Sequence, residues 1–367
     1  MTTYRLKLQV LTPLHIGSGE HLRKDFDFVV HQKRTWRLDV DRVLQAHWDQ
    51  WQRQGRSGNY PAPGKLLTPA DFQNRALFRY VLPGVPVSGK TYAELQTFIK
   101  DPWDRPYIPG SSLKGAIRTA LAWAGWPEAF LRLERNAIGR RAKFAGQKLE
   151  KRLFGRDPNH DLLRALQVSD LFGPQKPGEG LVVVQARVMS RQGFAAPISL
   201  ECAVQATFEG TMKIDAYLLG PAAGALGFTD RAHWLSHDFL PRLRRYAAAR
   251  LEHLAQQMER FAAPGAAQLA DYFRRLLHMQ REKLPANSTF LALGWGTGWD
   301  GKTFWTHLQE DPFLFDKLVR DFRLQRRPRG APRRNPGDPF PATRRVVVKH
   351  DRAAAPFGWV LLEVRPA

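Results

Sequence analysis

Cysteine is almost missing from this chain: Cys202 is the only one in 367 residues. No intramolecular disulfide can form, and no thiolate zinc cluster can be assembled. Long apolar runs are missing too; none reaches the roughly 20 residues that cross a bilayer. No basic amphipathic helix or lipidation signal stands out, so no membrane partner is expected. The opening MTTYRLKLQV alternates polar and apolar residues and lacks a signal-peptide core, which leads us to expect a cytoplasmic protein. No short repeat period appears, which excludes a solenoid. Acidic residues are scarce: 34 Asp and Glu stand against 56 Lys and Arg, leaving a net charge of +22. Solubility needs far less charge than this. A surplus of that size attracts polyanions, nucleic acid above all.

What is present supports a packed fold. Hydrophobic residues make up 43% of the chain, enough for a core and too many for global disorder. Tyr4, Leu6, Leu8 and Val10 alternate with Arg5, Lys7 and Gln9, the pattern of a half-buried strand. Phe26–Val30 and Trp36–Val40 are expected to pair as strands, Asp41–Trp51 to form a helix and Gly55–Lys65 a loop. Leu113, Ala116, Ile117, Ala120 and Leu121 follow helical spacing over Ser111–Ala124, with Ser111 or Ser112 as cap. A basic helical region is expected to continue to about Phe154. Leu181–Val184 opens a strand, and Gln185–Val204 reads as a long hairpin with its tip near Arg191-Gln192-Gly193. Phe208, Met212, Ile214, Ala216 and Leu218 share the face of an alternating segment. After a composition shift at Gly220–Gly227, Leu243, Ala247, Leu251, Leu254 and Met258 make a helical stripe. Asp271–Lys283 predicts another helix, and Thr289–Leu293 and Trp359–Val364 predict strands. Arg320–Arg345 reads as a basic loop. The length fits about two domains, divided as 1–220 and 221–367.

Three glycine-rich segments are candidates for ligand contact. In His15-Ile16-Gly17-Ser18-Gly19, the glycines let backbone approach a ligand closely. His15 there can stack on a base, act as an acid or base, or merely satisfy a turn. In Tyr107-Ile108-Pro109-Gly110-Ser111-Ser112-Leu113-Lys114-Gly115-Ala116-Ile117-Arg118, a helix start offers free N–H groups and partial positive charge. Lys114 and Arg118, four apart, project from one face; an ordinary capped helix with solvated cations fits equally. The third segment is Gly294-Trp295-Gly296-Thr297-Gly298-Trp299.

Other patterns carry rival chemistries. Gly84–Thr91 and Gly296–Thr303 both match the phosphate-binding pattern G-x-x-x-x-G-K-[ST], although Pro86 removes one N–H donor from the first. No convincing strand ends in a magnesium-binding Asp. His233 and His237 have a metal-ligand spacing but no supporting carboxylate motif, so no metal and no cofactor are expected. Asp25 and Asp27 can hold Mg²⁺ for phosphodiester cleavage, or form a solvent-facing strand edge. The arginines of 320–345 can neutralise phosphates. Trp295, Trp299, Phe304, Phe340 and Trp359 can stack on bases or fill the core.

In chain order, Thr12–Gly19, Tyr107–Arg118, Val168-Ser169-Asp170, the hairpin through Glu201, Phe208-Glu209-Gly210 and Leu293–Trp299 resemble the RAMP superfamily of CRISPR–Cas systems. Phe340-Pro341-Ala342-Thr343-Arg344-Arg345 and Phe357-Gly358-Trp359 look most like the fifth Csm-type subunit of type III-A effector complexes. The resemblance implies an α+β, ferredoxin-like (RNA-recognition-type) fold with a long hairpin insertion, a thumb at Val183–Leu200, and a second, partly helical RAMP-like domain. It implies a structural subunit that caps the filament near the 3′ end of the guide RNA and assists guide maturation. Its expected partners are guide RNA, target RNA and other Csm-type subunits. Related backbone subunits cut target RNA with an Asp after the first glycine motif; that role is not carried to Asp25 or Asp27. The expected RNA contacts are His15, Gly17, Ser18, Gly19, Ser111, Ser112, Lys114 and Arg118, with Gly296, Gly298, Lys302, Arg344 and Arg345 as a second set. Such contacts hold a backbone without reading sequence. A guide-trimming endoribonuclease using His15 or Asp25/Asp27, and a P-loop nucleotide hydrolase, remain the alternatives.

Overall fold

The computed structural model describes residues 2–55, 58–87, 93–129, 131–191, 193–325 and 335–367. Among these residues the fold mixes helices with three sheets. The alternation of Leu6, Leu8 and Val10 buries one face of the opening strand, Thr2–Val10. That strand lies in the middle of the largest sheet. Its neighbours, both antiparallel, are the closing strand Trp359–Pro366 and Thr207–Ile214. Ser288–Ala292 extends the sheet beyond the closing strand. Leu166–Val168 and Leu171–Phe172 pair with Thr207–Ile214, and Tyr107–Ile108 forms the far edge. Helices Gly110–Gly125 and Phe239–Glu259 supply Leu113, Ile117, Leu121 and Leu243 to the same buried cluster as Leu6 and Leu8.

The second sheet runs Arg352–Pro356, Arg344–Lys349, Leu181–Met189, Ile198–Ala203, Glu94–Phe98, Gly17–Arg23. Its pairings are antiparallel except that of Ile198–Ala203 with Glu94–Phe98, which is parallel. Residues 181–186 and 198–203 do pair as an antiparallel hairpin, but both strands are interior strands of this sheet, and Ser190 N–H donates to Gly193 O near the tip. A small third sheet joins Phe28–His31, Arg34–Leu38 and Phe78–Pro83 around Trp36, Leu38 and Val43. Strands from both sides of Gly220 take part in both large sheets.

Several local expectations need correction. Asp25 and Asp27 lie in the turn between two strands and not on a strand edge; Asp25 has φ 66°. The alternation over Phe208–Leu218 stops at Ile214, because the Asp215 side chain accepts from Tyr217 and Leu218 N–H and starts a short helix. The basic region before Phe154 is α-helical only over Gln147–Phe154, preceded by 3-10 turns at Arg135–Ala137 and Ala142–Phe144. The arginine-rich segment ends inside a strand, Arg344–Lys349; its residues 326–334 lie outside the described residues, as do residues 88–91 of the first P-loop-like match.

Candidate nucleic-acid interface

The three glycine motifs converge where the two large sheets meet. Leaving the first sheet at Val10, the chain crosses through Thr12–Ile16 and enters the edge strand of the second sheet at Gly17. Thr12 Oγ1 accepts from Trp359 N–H at 2.9 Å, and Pro13 O accepts from Gly358 N–H at 3.0 Å. Trp295 N–H donates to His15 O at 2.8 Å. A Cβ on Gly294 would stand 2.5 Å from that same carbonyl, so only glycine lets the third motif lie against the first. Across from them, the helix start and the third loop line a cleft of about 340 Å³, with Ser111, Ser112 and Thr119 on one side and Gly294, Thr297 and Lys302 on the other.

The structure sorts the expected contacts. Gly17, Ser18 and Gly19 are exposed, as are Ser111 and Lys302. Ser18 Oγ pairs with Thr97 Oγ1, which braces the first loop against the neighbouring strand. His15, in contrast, is 1% exposed. Its Nδ1–H donates to Glu201 O at 2.7 Å, and its ring meets Phe98 and Trp295 edge-on. Burial lowers its pKa, opposed by the bond to Glu201. The ring is therefore closed to base stacking: it braces the turn.

The helix start is also more self-contained than its sequence implies. Gly110 N–H donates to Asp170 Oδ1 at 2.8 Å, so a carboxylate already caps the positive end of the helix. A Cβ on Gly110 would collide with Val168 O and stand 2.6 Å from Ser169 O; the glycine serves packing. Lys114 Nζ donates to Leu166 O at 2.6 Å, and burial lowers its pKa. Arg118 is held by Asp161 at 2.8 Å and Glu150 at 3.1 Å, over the Phe154 ring. These side chains line a second cleft, of about 590 Å³, with Lys151, Asp157 and Arg164.

Under the third loop, Arg344 is 6% exposed and therefore no direct contact for RNA. It forks onto Asp300 at 2.9 and 2.6 Å and also donates to Gln257. Arg250, 1% exposed, donates to Thr297 O and lies 3.5 Å from Asp300. Burial raises the Asp300 pKa, and the adjoining Arg344 and Arg250 guanidinia more than reverse this, holding the carboxyl well below the usual range. The loop is followed by a short 3-10 turn, Trp299–Gly301, and carries a buried carboxylate; a P-loop needs an α-helix start and free cations at that point. Arg345 lies over the Trp295 ring, 4.4 Å from its centroid. Trp359, Phe304 and Phe340 are core residues, while Trp295 and Trp299 are half-buried.

The rival centres stay apart from this junction. Asp27 accepts from Arg23 N–H at 2.8 Å and pairs with Arg37 at 3.3 Å, so it closes its own turn. His233 and His237 stack on each other and approach Asp238. Among the described residues, no three His, Cys, Asp or Glu side chains converge on a point where a metal ion would fit. No helix is long and apolar enough to cross a membrane among them. Sequence reasoning misses Asp300, Arg250 and Gln257. The one available signal is Asp300 itself, a carboxylate inside a phosphate-binding pattern.

Comparison with known proteins agrees with the architecture. The Csm5 protein of a CRISPR system in Methanocaldococcus jannaschii is 24% identical over 382 aligned residues, covering 98% of this chain and 88% of that protein. Csm5 of Streptococcus thermophilus is 30% identical over 135 residues, 32% of this chain and 38% of its own length. A chain of a type III-A Csm-crRNA-target RNA ternary complex superposes with a TM-score of 0.68 at 21% identity, covering 98% of this chain and all of that one. The crystal structure of T. onnurineus Csm5 gives a TM-score of 0.63 at 21% identity, covering 96% and 99%. The RAMP superfamily profile matches residues 7–349. On that match the chain belongs to the RAMP superfamily.

Proposed function

We propose that this chain is an RNA-binding subunit of a type III-A CRISPR effector complex. It caps the filament near the 3′ end of the guide RNA, assists guide maturation, and leaves target cutting to other subunits. Its partners are the guide RNA, target RNA and neighbouring Csm-type subunits, and its place is the cytoplasm. The convergence of the three glycine motifs on one junction carries this reading. It sets Ser111, Ser112 and Lys302 around one cleft and joins the third loop, through His15 O, to the segment that leads into the exposed Gly17–Gly19 backbone, in a chain of net charge +22. Exposed backbone, hydroxyls and a cation suit a sugar–phosphate chain of any sequence. The names of the relatives point the same way.

The strand order supports a ferredoxin-like reading of the first sheet. Trp359–Pro366, Thr2–Val10, Thr207–Ile214 and Leu171–Phe172 stand as fourth, first, third and second, with Gly110–Gly125 and Phe239–Glu259 as the connecting helices. The thumb role falls to the hairpin tip near Ser190 and Gly193, since the strands below it have sheet neighbours in Arg344–Lys349 and Glu94–Phe98. Gly220 then marks a boundary along the chain between two RAMP-like halves that share their sheets.

The trimming-nuclease alternative asks His15 or Asp25 and Asp27 to reach a phosphodiester; His15 is enclosed and Asp27 is held by its turn. Fluorescence anisotropy of the purified chain with labelled guide RNA, over a range of salt, tests the proposal. Tight, steeply salt-dependent binding with no cleavage, with or without Mg²⁺, is expected. Salt-independent or absent binding would reject it.

A further inference from the structure

The third glycine loop rests on a charge cluster that does not balance. Arg250 and Arg344 are both buried, and among the described residues the one carboxylate within ion-pair distance of either is Asp300, itself 0% exposed. Gln257, neutral, holds Arg344 on its far side and ties it to Pro341 O at 3.0 Å. Arg250 leaves Nε and Nη1 without an acceptor among the described residues. One positive charge is thus left uncancelled in the interior, where water does not screen it.

Both arginines also reach the same backbone oxygen. Thr297 O accepts from Arg250 Nη2 at 2.7 Å and from Arg344 Nη1 at 3.1 Å. In a planar trans peptide the C=O and N–H point in opposite directions. With the Thr297 carbonyl drawn inward, the Gly298 N–H points away from the arginines. Gly298 is half-buried, and its N–H meets no acceptor among the described residues. A free backbone N–H over uncancelled positive charge is an anion-binding arrangement.

We propose that Arg250 and Arg344 are positioning residues for RNA. Neither touches the ligand. Together they hold the Thr297–Gly298 peptide so that its N–H, backed by the buried charge, receives one phosphodiester oxygen. This rests on the RNA-binding reading above and adds to it a device inside the protein. It also accounts for Asp300: the carboxylate fixes the Arg344 fork while cancelling only half of the charge.

Thr297-Gly298 is the only Thr-Gly pair in the sequence. Labelling threonine with ¹³C at the carbonyl and glycine with ¹⁵N therefore gives a single filtered NMR signal, from this peptide. Titrating the full chain with a mixed-sequence single-stranded RNA, while following binding by anisotropy in the same samples, is expected to move that amide downfield. In Arg344→Lys, which keeps a cation but loses the fork, the free signal should already be displaced and the RNA-induced shift lost. Affinity should fall roughly tenfold with an unchanged near-ultraviolet CD spectrum. Should Arg344→Lys fail to fold, the wild-type titration alone decides. RNA binding with a static Thr297–Gly298 signal overturns the proposal and leaves the RNA reading standing. Absence of RNA binding removes both.

Discussion

Two glycine-rich segments face each other across the cleft, and they handle their cations in opposite ways. At the start of Gly110–Gly125, Arg118 is shared by Glu150 and Asp161, and the helix end is capped by Asp170. Under Gly296–Gly298, two buried guanidinia share the single carboxylate of Asp300. The first region is neutralised from within and stays partly open to water. The second is closed to water and keeps positive charge. A phosphate approaching the first must displace carboxylates; one approaching the second meets an unsatisfied field. The number of cations near a motif therefore says less than where their counter-charges sit.

The largest effect is expected from removing the one counter-charge of the second region. Asp300→Asn keeps the shape but leaves Arg250 and Arg344 buried without a charge partner. Breaking a buried pair in this way costs about 3–5 kcal/mol, to be read from urea unfolding at pH 7. A loss below about 1 kcal/mol would mean that the arginines find water, and the contrast between the two regions would disappear.

Acid should weaken the same region in two stages. Burial lowers the His253 pKa to about 4, with Asp300 opposing and Arg344 adding to the effect. Its unfolded value is 6.5, so the unfolded chain binds the proton first. The stability that this neutral histidine permits is complete above pH 6.5 and falls as pH drops towards 4, by up to roughly 3 kcal/mol. Asp300 follows: its contribution is complete above the ordinary carboxylate value of about 3.9 and is lost as pH falls towards its lowered native pKa. His253→Gln should flatten the first stage and spare the second. If the variant loses stability between pH 6.5 and 4 as steeply as the parent, another group carries that stage.

A smaller effect is expected at Lys302, the exposed cation of the cleft. Lys302→Ala should weaken RNA binding by roughly threefold to tenfold and reduce the salt slope by about 0.7, the share of one phosphate on a single strand. An unchanged slope would take Lys302 out of the interface.

The contrast was only partly legible in the sequence. Regular burial on one face exposes the strand Thr2–Val10 and the helix Phe239–Glu259, because each element has a single periodicity. The strands Arg344–Lys349 and Arg352–Pro356 are hidden. One begins with two arginines, buries Val346, Val347 and Val348 in succession, and pairs with the other through a register shift at Val347/Val348. The glycines and hydroxyls of the three motifs are visible because backbone exposure demands those residue types. The charge cluster is not, since it joins three separate segments, the helix that carries Arg250 and Gln257, the third loop with Asp300 and the strand that starts at Arg344, which meet only through packing. For the same reason Arg118 reads as a free cation until Asp161 and Glu150 are placed beside it.

The smallest effect is the sharpest test of the comparison. Arg118→Ala removes a formal charge from the most recognisable motif of the chain, yet that charge is already matched by two carboxylates. RNA affinity should fall by less than about threefold, with a salt slope within error of the parent, because partly exposed ion pairs contribute little beyond their own neighbourhood. Lys114→Ala should behave similarly, since its ammonium is directed to Leu166 O. The double variant should then lose some stability, through Phe154 and the freed Glu150 and Asp161, but little affinity. If Arg118→Ala instead lowers the slope as much as Lys302→Ala does, RNA pulls Arg118 away from its carboxylates on binding. Both regions would then present charge to the backbone, and the internal neutralisation at the helix start would be a property of the free protein alone.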